Sequence, residues 1–433
     1  MSAAFAALLL TGTAAAQQQA SVTSVTLDEA IQRARVYAPS VVSAQGAIRT
    51  AELSVRSGFM AFLPSLSVTP RADLQLTNGQ SRIDPVTGSV ISTGSATSEP
   101  SLSFGASASY TIFDGFARNY TLSQRRAAES AAEASLVTSQ YSSDFTVTGA
   151  FFTALGGRQL VVAADTNLAA AQSQLQLASA KLHAGSGQLS DSLTALGNYL
   201  QARLQLLTAQ SNLVVYEANL GRLVGVAGRV AAIDDSAYYR PPTPLDTAAI
   251  REEAMATAPS IRALQDNVVA AEKAYRASKA AYWPTLSASA ATSWTATKPG
   301  YSFIPRRNLQ LTFSINPWTN LTRETQIENA SIQIDNAEAS LADQRNLLAA
   351  QLNQAFAGIA TAQETITVTD QQVIAGEENL RVVTERYRIG VATITDVLTA
   401  QQQMVSAQTN QVNARYSYYN AKASLEQILG RKL

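Results

Sequence analysis

SLSVTPRADLQLT, residues 65–77, and SLSFGASASYTI, residues 101–112, share a strict two-residue rhythm. In the first, Leu66, Val68, Pro70, Ala72, Leu74 and Leu76 alternate with Ser65, Ser67, Thr69, Arg71, Asp73, Gln75 and Thr77. In the second, Leu102, Phe104, Ala106, Ala108, Tyr110 and Ile112 alternate with Ser101, Ser103, Gly105, Ser107, Ser109 and Thr111. Side chains of an extended chain point alternately to its two sides, so each stretch is predicted as a strand with one apolar and one polar face. The rhythm recurs at Leu286, Ala288, Ala290 and Trp294, set among serines, and at Leu309, Leu311, Phe313 and Ile315, set against Asn308, Gln310, Thr312, Ser314 and Asn316. Four strands are expected.

A tilted strand crosses a bilayer in about 9–11 residues, and these segments, about 10–13 residues each, are long enough to do so. The aromatics beside them, Phe62, Tyr110, Phe113, Tyr282, Trp283, Trp294 and Trp318, suit an interfacial girdle, and the Gly/Ser/Thr-rich stretch 78–99 suits an extracellular loop. Four strands alone leave open edges, which lipid cannot hydrogen-bond, so a membrane reading requires several copies. Two copies give eight strands and a filled interior; three give twelve and room for a passage, which the polar faces favour. The alternative is a soluble periplasmic coiled-coil scaffold or adaptor that carries a small sheet.

All 13 prolines lie within 39–100 or 241–317. Since proline breaks helix interiors, the two proline-free stretches 101–240 and 318–433, rich in Ala, Gln, Leu and Ser, read as long helices. Their apolar positions step by three and four: Leu168, Ala171, Leu175, Ala178 and Leu182 in one, Val373, Gly376, Leu380, Val383 and Tyr387 in the other. That is a coiled-coil seam with small residues for close packing. A helix unbroken from Arg118 to Leu182 is roughly 100 Å long at about 1.5 Å per residue.

The halves repeat one another. Ala38-Pro39-Ser40 returns as Ala258-Pro259-Ser260 and Pro64-Ser65-Leu66-Ser67 as Pro284-Thr285-Leu286-Ser287; further on, Arg118 matches Arg323, Gly185 matches Gly390, Asp191 matches Asp396 and Gly225 matches Gly430. The spacing changes inside 77–100, where the first copy has the longer loop. The expected organisation is a signal peptide at 1–16, then a first repeat over 17–240 and a second over 241–433. Each repeat holds a helix, a β-hairpin (about 65–113 and 285–317) and a long helical hairpin (about 116–225 and 318–430).

Composition sets the limits. The 433-residue chain is 46% hydrophobic and balances 32 Lys and Arg against 32 Asp and Glu, so no net field draws it to nucleic acid. It has no cysteine, hence no disulfide or thiolate metal site. The apolar run Ala3–Leu10 followed by Ala14-Ala15-Ala16 reads as a secretory signal cleaved before Gln17, although no Lys or Arg precedes Arg33 to form a basic start. Elsewhere no uncharged apolar run of about 18–20 residues is found, which argues against a helical span. His183 is the only histidine and no phosphate loop occurs, so neither an enzyme, a metal nor a cofactor is expected.

The order of Leu27-Asp28-Glu29-Ala30, Ala38-Pro39-Ser40, Leu63-Pro64-Ser65-Leu66, Phe113-Asp114-Gly115 and YRIGVATITDVL (387–398), together with the duplication, resembles the TolC-like outer-membrane efflux proteins. The resemblance implies a mixed α and β membrane protein. It would be a homotrimer whose 12-stranded barrel continues into a helical barrel in the periplasm, with a collar near 226–250 and the C-terminus. It implies as partners outer-membrane lipid, a periplasmic adaptor and an inner-membrane transporter. It places the periplasmic entrance at Leu182–Leu193 and Tyr387–Leu398, with Asp191, Tyr387 and Asp396 as gate residues and Gly185, Leu193, Gly390 and Leu398 at the adaptor-contact tips. Ala392 and Thr399 stand where some members carry an arginine and a second aspartate. Each tip aspartate also begins a returning helix and could simply be a capping acid. Arg71 and Asp73 are expected on the lumen face of the barrel.

Overall fold

The computed structural model describes residues 23–77, 80–93, 97–239, 245–297 and 302–433. The signal peptide expected at 1–16 lies outside them. Short strand β1 (Thr23–Val25) leads into α1 (Leu27–Tyr37), α2 (Pro39–Met60) and strand β2 (Ser65–Thr77). Strands β3 (Gln80–Ile83), β4 (Val90–Thr93) and β5 (Thr97–Phe113) follow, then helices α3 (Ala117–His183) and α4 (Leu189–Leu223). After β6 (Val230–Ala232) come α5 (Thr247–Thr257), α6 (Pro259–Lys279), β7 (Thr285–Thr297), β8 (Ile304–Ser314), α7 (Thr322–Arg388) and α8 (Ile394–Leu429). Helices α3 and α7 are each 67 residues long. The described residues form two compact units: those within 23–43, 137–258 and 348–433 make one, those within 44–136 and 259–347 the other.

The first unit is helical. Thr26 caps α1 with a capping box, its hydroxyl taking the Glu29 N–H at 3.3 Å while the Glu29 carboxylate takes the Thr26 N–H at 3.1 Å. The core gathers Ile31, Val147, Phe151, Phe152, Leu155, Leu220 and Tyr416, with Phe152 stacked on Tyr416 at 5.5 Å and on Tyr419 at 4.7 Å. Each such side chain contributes about 1.5–3 kcal/mol by leaving water. One 18-residue window of α3 reaches a mean hydropathy of 1.2, long and apolar enough by composition to cross a membrane. The core residues Val147, Phe151, Phe152 and Leu155 lie on this helix, which accounts for its apolar character by packing. β1 pairs parallel with β6, Thr23 facing Val230, an element that the sequence did not reveal. Arg35 clasps Asp144 through two nitrogens, with Nε at 2.9 Å from Oδ1, and this bond holds the guanidinium pKa above its ordinary value. At the C-terminus Arg431 grips both oxygens of Glu253, at 2.6 and 2.7 Å.

The second unit carries an antiparallel sheet in the order β2-β5-β7-β8. Its register keeps like with like. Leu66 lies across from Ala108, Ala108 from Ala290 and Ala290 from Leu309, while one step along Ser65, Ser109, Ser289 and Gln310 form the adjacent polar row. Serine hydroxyls pair across that polar face, Ser65 with Ser109 and Ser67 with Ser107, both at 2.7 Å. Three expectations need correction. The segment 78–99 is not all loop, because β3 pairs with β4 about a turn in which Asp84 takes the Val86 N–H and the Thr87 hydroxyl. Ile112 leaves the alternation at a bulge that sets Phe113 opposite Leu286. Ile315 and Asn316 lie beyond the end of β8.

Both strand-to-helix passages use consecutive left-handed residues, Gly115 and Phe116 before α3, Asn320 and Leu321 before α7. At Gly115 a Cβ would stand 2.7 Å from that of Trp283 and 2.8 Å from the Ala280 carbonyl oxygen, so glycine is required there. An arginine clamps each passage. Arg118 bonds Asp114 at 2.9 Å and lies over Phe62; Arg323 bonds Glu324 at 2.7 Å and lies over Tyr282.

Candidate functional site

The turns between α3 and α4 and between α7 and α8 hold most of the residues singled out by sequence. Both are built on left-handed glycines, Gly185 at φ +73° and Gly390 at φ +84°. Nothing stands within 4 Å of a Cβ at either position, so both glycines serve backbone direction rather than packing. Tyr387 is 4% exposed and forms a small core with Ile394 and Val397; Leu177, Leu380, Val383, Ala392 and Leu398 pack against it. Burial, and secondly the charge of Asp191, pushes the Tyr387 hydroxyl pKa up. Leu398 is thus partly buried, whereas Leu193 is 59% exposed.

The two aspartates differ. Asp396 completes a capping box: its Oδ2 takes both the N–H and the hydroxyl of Thr393 at 2.8 Å, and its own N–H donates to Thr393 Oγ1 at 3.2 Å. These bonds, the backbone N–H first, hold its carboxyl below the usual carboxylate range. Asp191 occupies the same place in the first turn of α4, but the residue at the N-cap there is Gln188, whose side chain makes no capping bond. Ala392 belongs to the rim of the Tyr387 core, and the Thr399 hydroxyl donates back to the Thr395 carbonyl oxygen at 2.9 Å. His183 is exposed.

Two features joining the helical hairpins were not anticipated. Lys181, in the last turn of α3, donates from Nζ to the backbone oxygen of Tyr387 and sits 4.1 Å above its ring. The lysine thereby neutralises the carbonyl end of α7 with a cation. Farther along the helices an amide layer forms: Gln401 Nε2 donates to Asn167 Oδ1 at 2.7 Å, Asn198 Nδ2 donates to Gln401 Oε1 at 3.2 Å, and Asn167 Nδ2 donates to Gln205 Oε1 at 3.3 Å. Gln401, at the centre of this layer, is 4% exposed.

Arg71 and Asp73 share the polar face of β2, opposite Ser103 and Ser101 of β5, and both are exposed. The other face is apolar and also bare: Leu66 is 81% exposed, Leu309 85%, Leu311 67%. Among the described residues no group of His, Cys, Asp or Glu is placed to hold a metal.

The model of the outer membrane efflux protein family matches residues 30–226 and 250–431, well over half of the chain. The chain belongs to that family. Its members are outer-membrane channels rather than enzymes. Solved structures with the same fold include CusC, at 16% identity with a TM-score of 0.79 over 94% of this chain and 92% of that one. VceC of Vibrio cholerae is 18% identical, TM-score 0.76, covering 94% and 96%, and MtrE of Neisseria gonorrhoeae, in an open state, is 17% identical, TM-score 0.72, covering 94% and 89%. No curated protein sequence matches the chain. The family's mixed, mostly helical fold is therefore the fold of this chain.

Proposed function

We propose that three copies of this chain close a 12-stranded barrel in the outer membrane and continue it as a helical tunnel in the periplasm. The assembly is a passive exit duct of a multipart efflux or type I secretion system, driven by an inner-membrane transporter through a periplasmic adaptor. The observation that carries this is the sheet. It has one bare apolar face, one hydroxyl-rich face, and strands β2 and β8 whose outer edges are unpaired among the described residues. Lipid would leave those edges unbonded at several kcal/mol per group, and a neighbouring copy on each side satisfies them. Arg71 and Asp73 then face the lumen, Asp191, Tyr387 and Asp396 surround the periplasmic entrance, and Gly185, Leu193, Gly390 and Leu398 meet the adaptor.

The test is fractionation of the expressed chain, its mass in mild detergent and its conductance in planar bilayers. An outer-membrane trimer that conducts ions is expected. Recovery as a water-soluble monomer would overturn the proposal in favour of a periplasmic scaffold.

A further inference from the structure

Four helices meet the sheet at one end: α2 and α6 run into β2 and β7, while α3 and α7 leave β5 and β8. Charge along them is not evenly spread. In the eleven residues of each helix next to the sheet (50–60, 117–127, 269–279 and 322–332) there are eight Lys and Arg against four Asp and Glu. Over the rest of these helices within the same unit the balance reverses, three against six. Only two of the eight, Arg118 and Arg323, are held in ion pairs among the described residues. Arg56, Arg126, Arg276 and Lys279 are exposed, with Arg126 lying over Phe59 at 5.0 Å and Lys279 over Tyr275 at 4.3 Å. Beside this basic zone stand the bare aromatics Tyr282, Trp283 and Trp318, the last 80% exposed.

An apolar sheet face, then aromatic rings, then unpaired cations is the order of layers met on leaving a bilayer: acyl chains, interface, phosphates. Eleven helical residues span about 16 Å, so long basic side chains anywhere in the zone reach a headgroup layer at the end of the strands. We infer that this zone is a basic collar that binds the phosphate headgroups of anionic phospholipid in the periplasmic leaflet. The inference rests on the barrel proposed above. It adds a lipid preference that the barrel alone does not require, because a neutral headgroup wets aromatics equally well. The acidic stretch farther along the helices complements the collar, since it is repelled from the same surface.

The test uses the full chain in vesicles of phosphatidylethanolamine with and without phosphatidylglycerol, and the variant R56Q/R126Q/R276Q/K279Q. Phosphatidylglycerol is expected to raise the unfolding midpoint of the unaltered protein, with salt removing the gain, and each lost charge should weaken the preference roughly fivefold. Equal response of variant and parent overturns the inference. So does a shifted ion selectivity without any lipid dependence, which would put the collar in the lumen. Should the variant not fold, native mass spectrometry of the parent decides: retained phosphatidylglycerol that salt displaces supports the collar, and salt-independent retention overturns it. If the parent inserts into neither vesicle, the barrel itself fails; insertion into both without preference removes only the collar.

Discussion

Leu311→Arg puts the membrane proposal at risk by the sign of its effect. Leu311 lies on the apolar face of β8 across from Ala288, is 67% exposed, and stands two outward positions from Arg307, the cation that already occupies that face. In lipid the substitution loses about 1.5–3 kcal/mol of leucine burial. It adds about 0–4 kcal/mol for arginine, least near an interface, hence roughly 2–7 kcal/mol per copy and three times that in a trimer. Against total stabilities of about 5–15 kcal/mol per domain this prevents assembly. Gln310→Arg, one residue away and facing the hydroxyl row at Ser289, should cost under about 1 kcal/mol because that face is wet. On a soluble sheet the expectation inverts, since an exposed leucine replaced by arginine improves solubility. Recovery of trimer from outer membranes, and urea unfolding in vesicles, read the difference. Equal tolerance of the two arginines, or better recovery of Leu311→Arg, refutes the lipid-facing assignment.

Gly115→Ala drives a Cβ into Trp283 and Ala280 at positive φ and should destabilise by about 1–3 kcal/mol, seen as a lower melting temperature; an unchanged melt would remove the required-glycine argument. Arg35→Met leaves the Asp144 side chain, only 10% exposed, without its cation and should cost about 3–5 kcal/mol in denaturant unfolding, whereas Arg35→Met with Asp144→Leu should recover most of it. At the second tip, Thr393→Ala removes the cap of α8 and should cost about 1 kcal/mol. Because the Asp396 carboxyl titrates below the usual range when folded, its contribution is present above the unfolded pKa and is lost as pH falls through the folded value; Asp396→Asn should abolish that acid-side loss in a pH series of melts.

Periodicity was visible where it was long. The alternation in 65–77 and the three-four stepping through Ala171, Ala178 and Tyr387 extend over many residues, and each seam position is buried or half-buried. What stayed hidden is either too short to have a period or too distant in sequence. β1 and β6 are three residues each and become strands only by meeting across some 200 positions. Lys181 reads as one more wet lysine until α7 delivers the Tyr387 carbonyl to it, and Asn167 and Asn198 read as a polar face until Gln401 is buried between them. The bulge at Ile112 breaks a rule that composition gives no reason to break.

At Asp396 the capping geometry fixes where the carboxylate stands. Both bonds that fix the carboxylate go to Oδ2, and both come from Thr393. Their combined effect lowers the pKa, so the group keeps its charge to lower pH than a free aspartate would. A ring of three such carboxylates around a narrow passage would tend to take up protons, because like charges raise one another's pKa. A cap that holds each one ionised opposes that tendency, and its fixed side-chain position sets where the charge stands. Asp191 has no counterpart to Thr393 and lies beside the buried Tyr387, whose hydroxyl it renders harder to ionise. Of the paired aspartates, only Asp396 has its carboxylate fixed by a capping threonine, so the two tips differ in how firmly they place an acidic side chain.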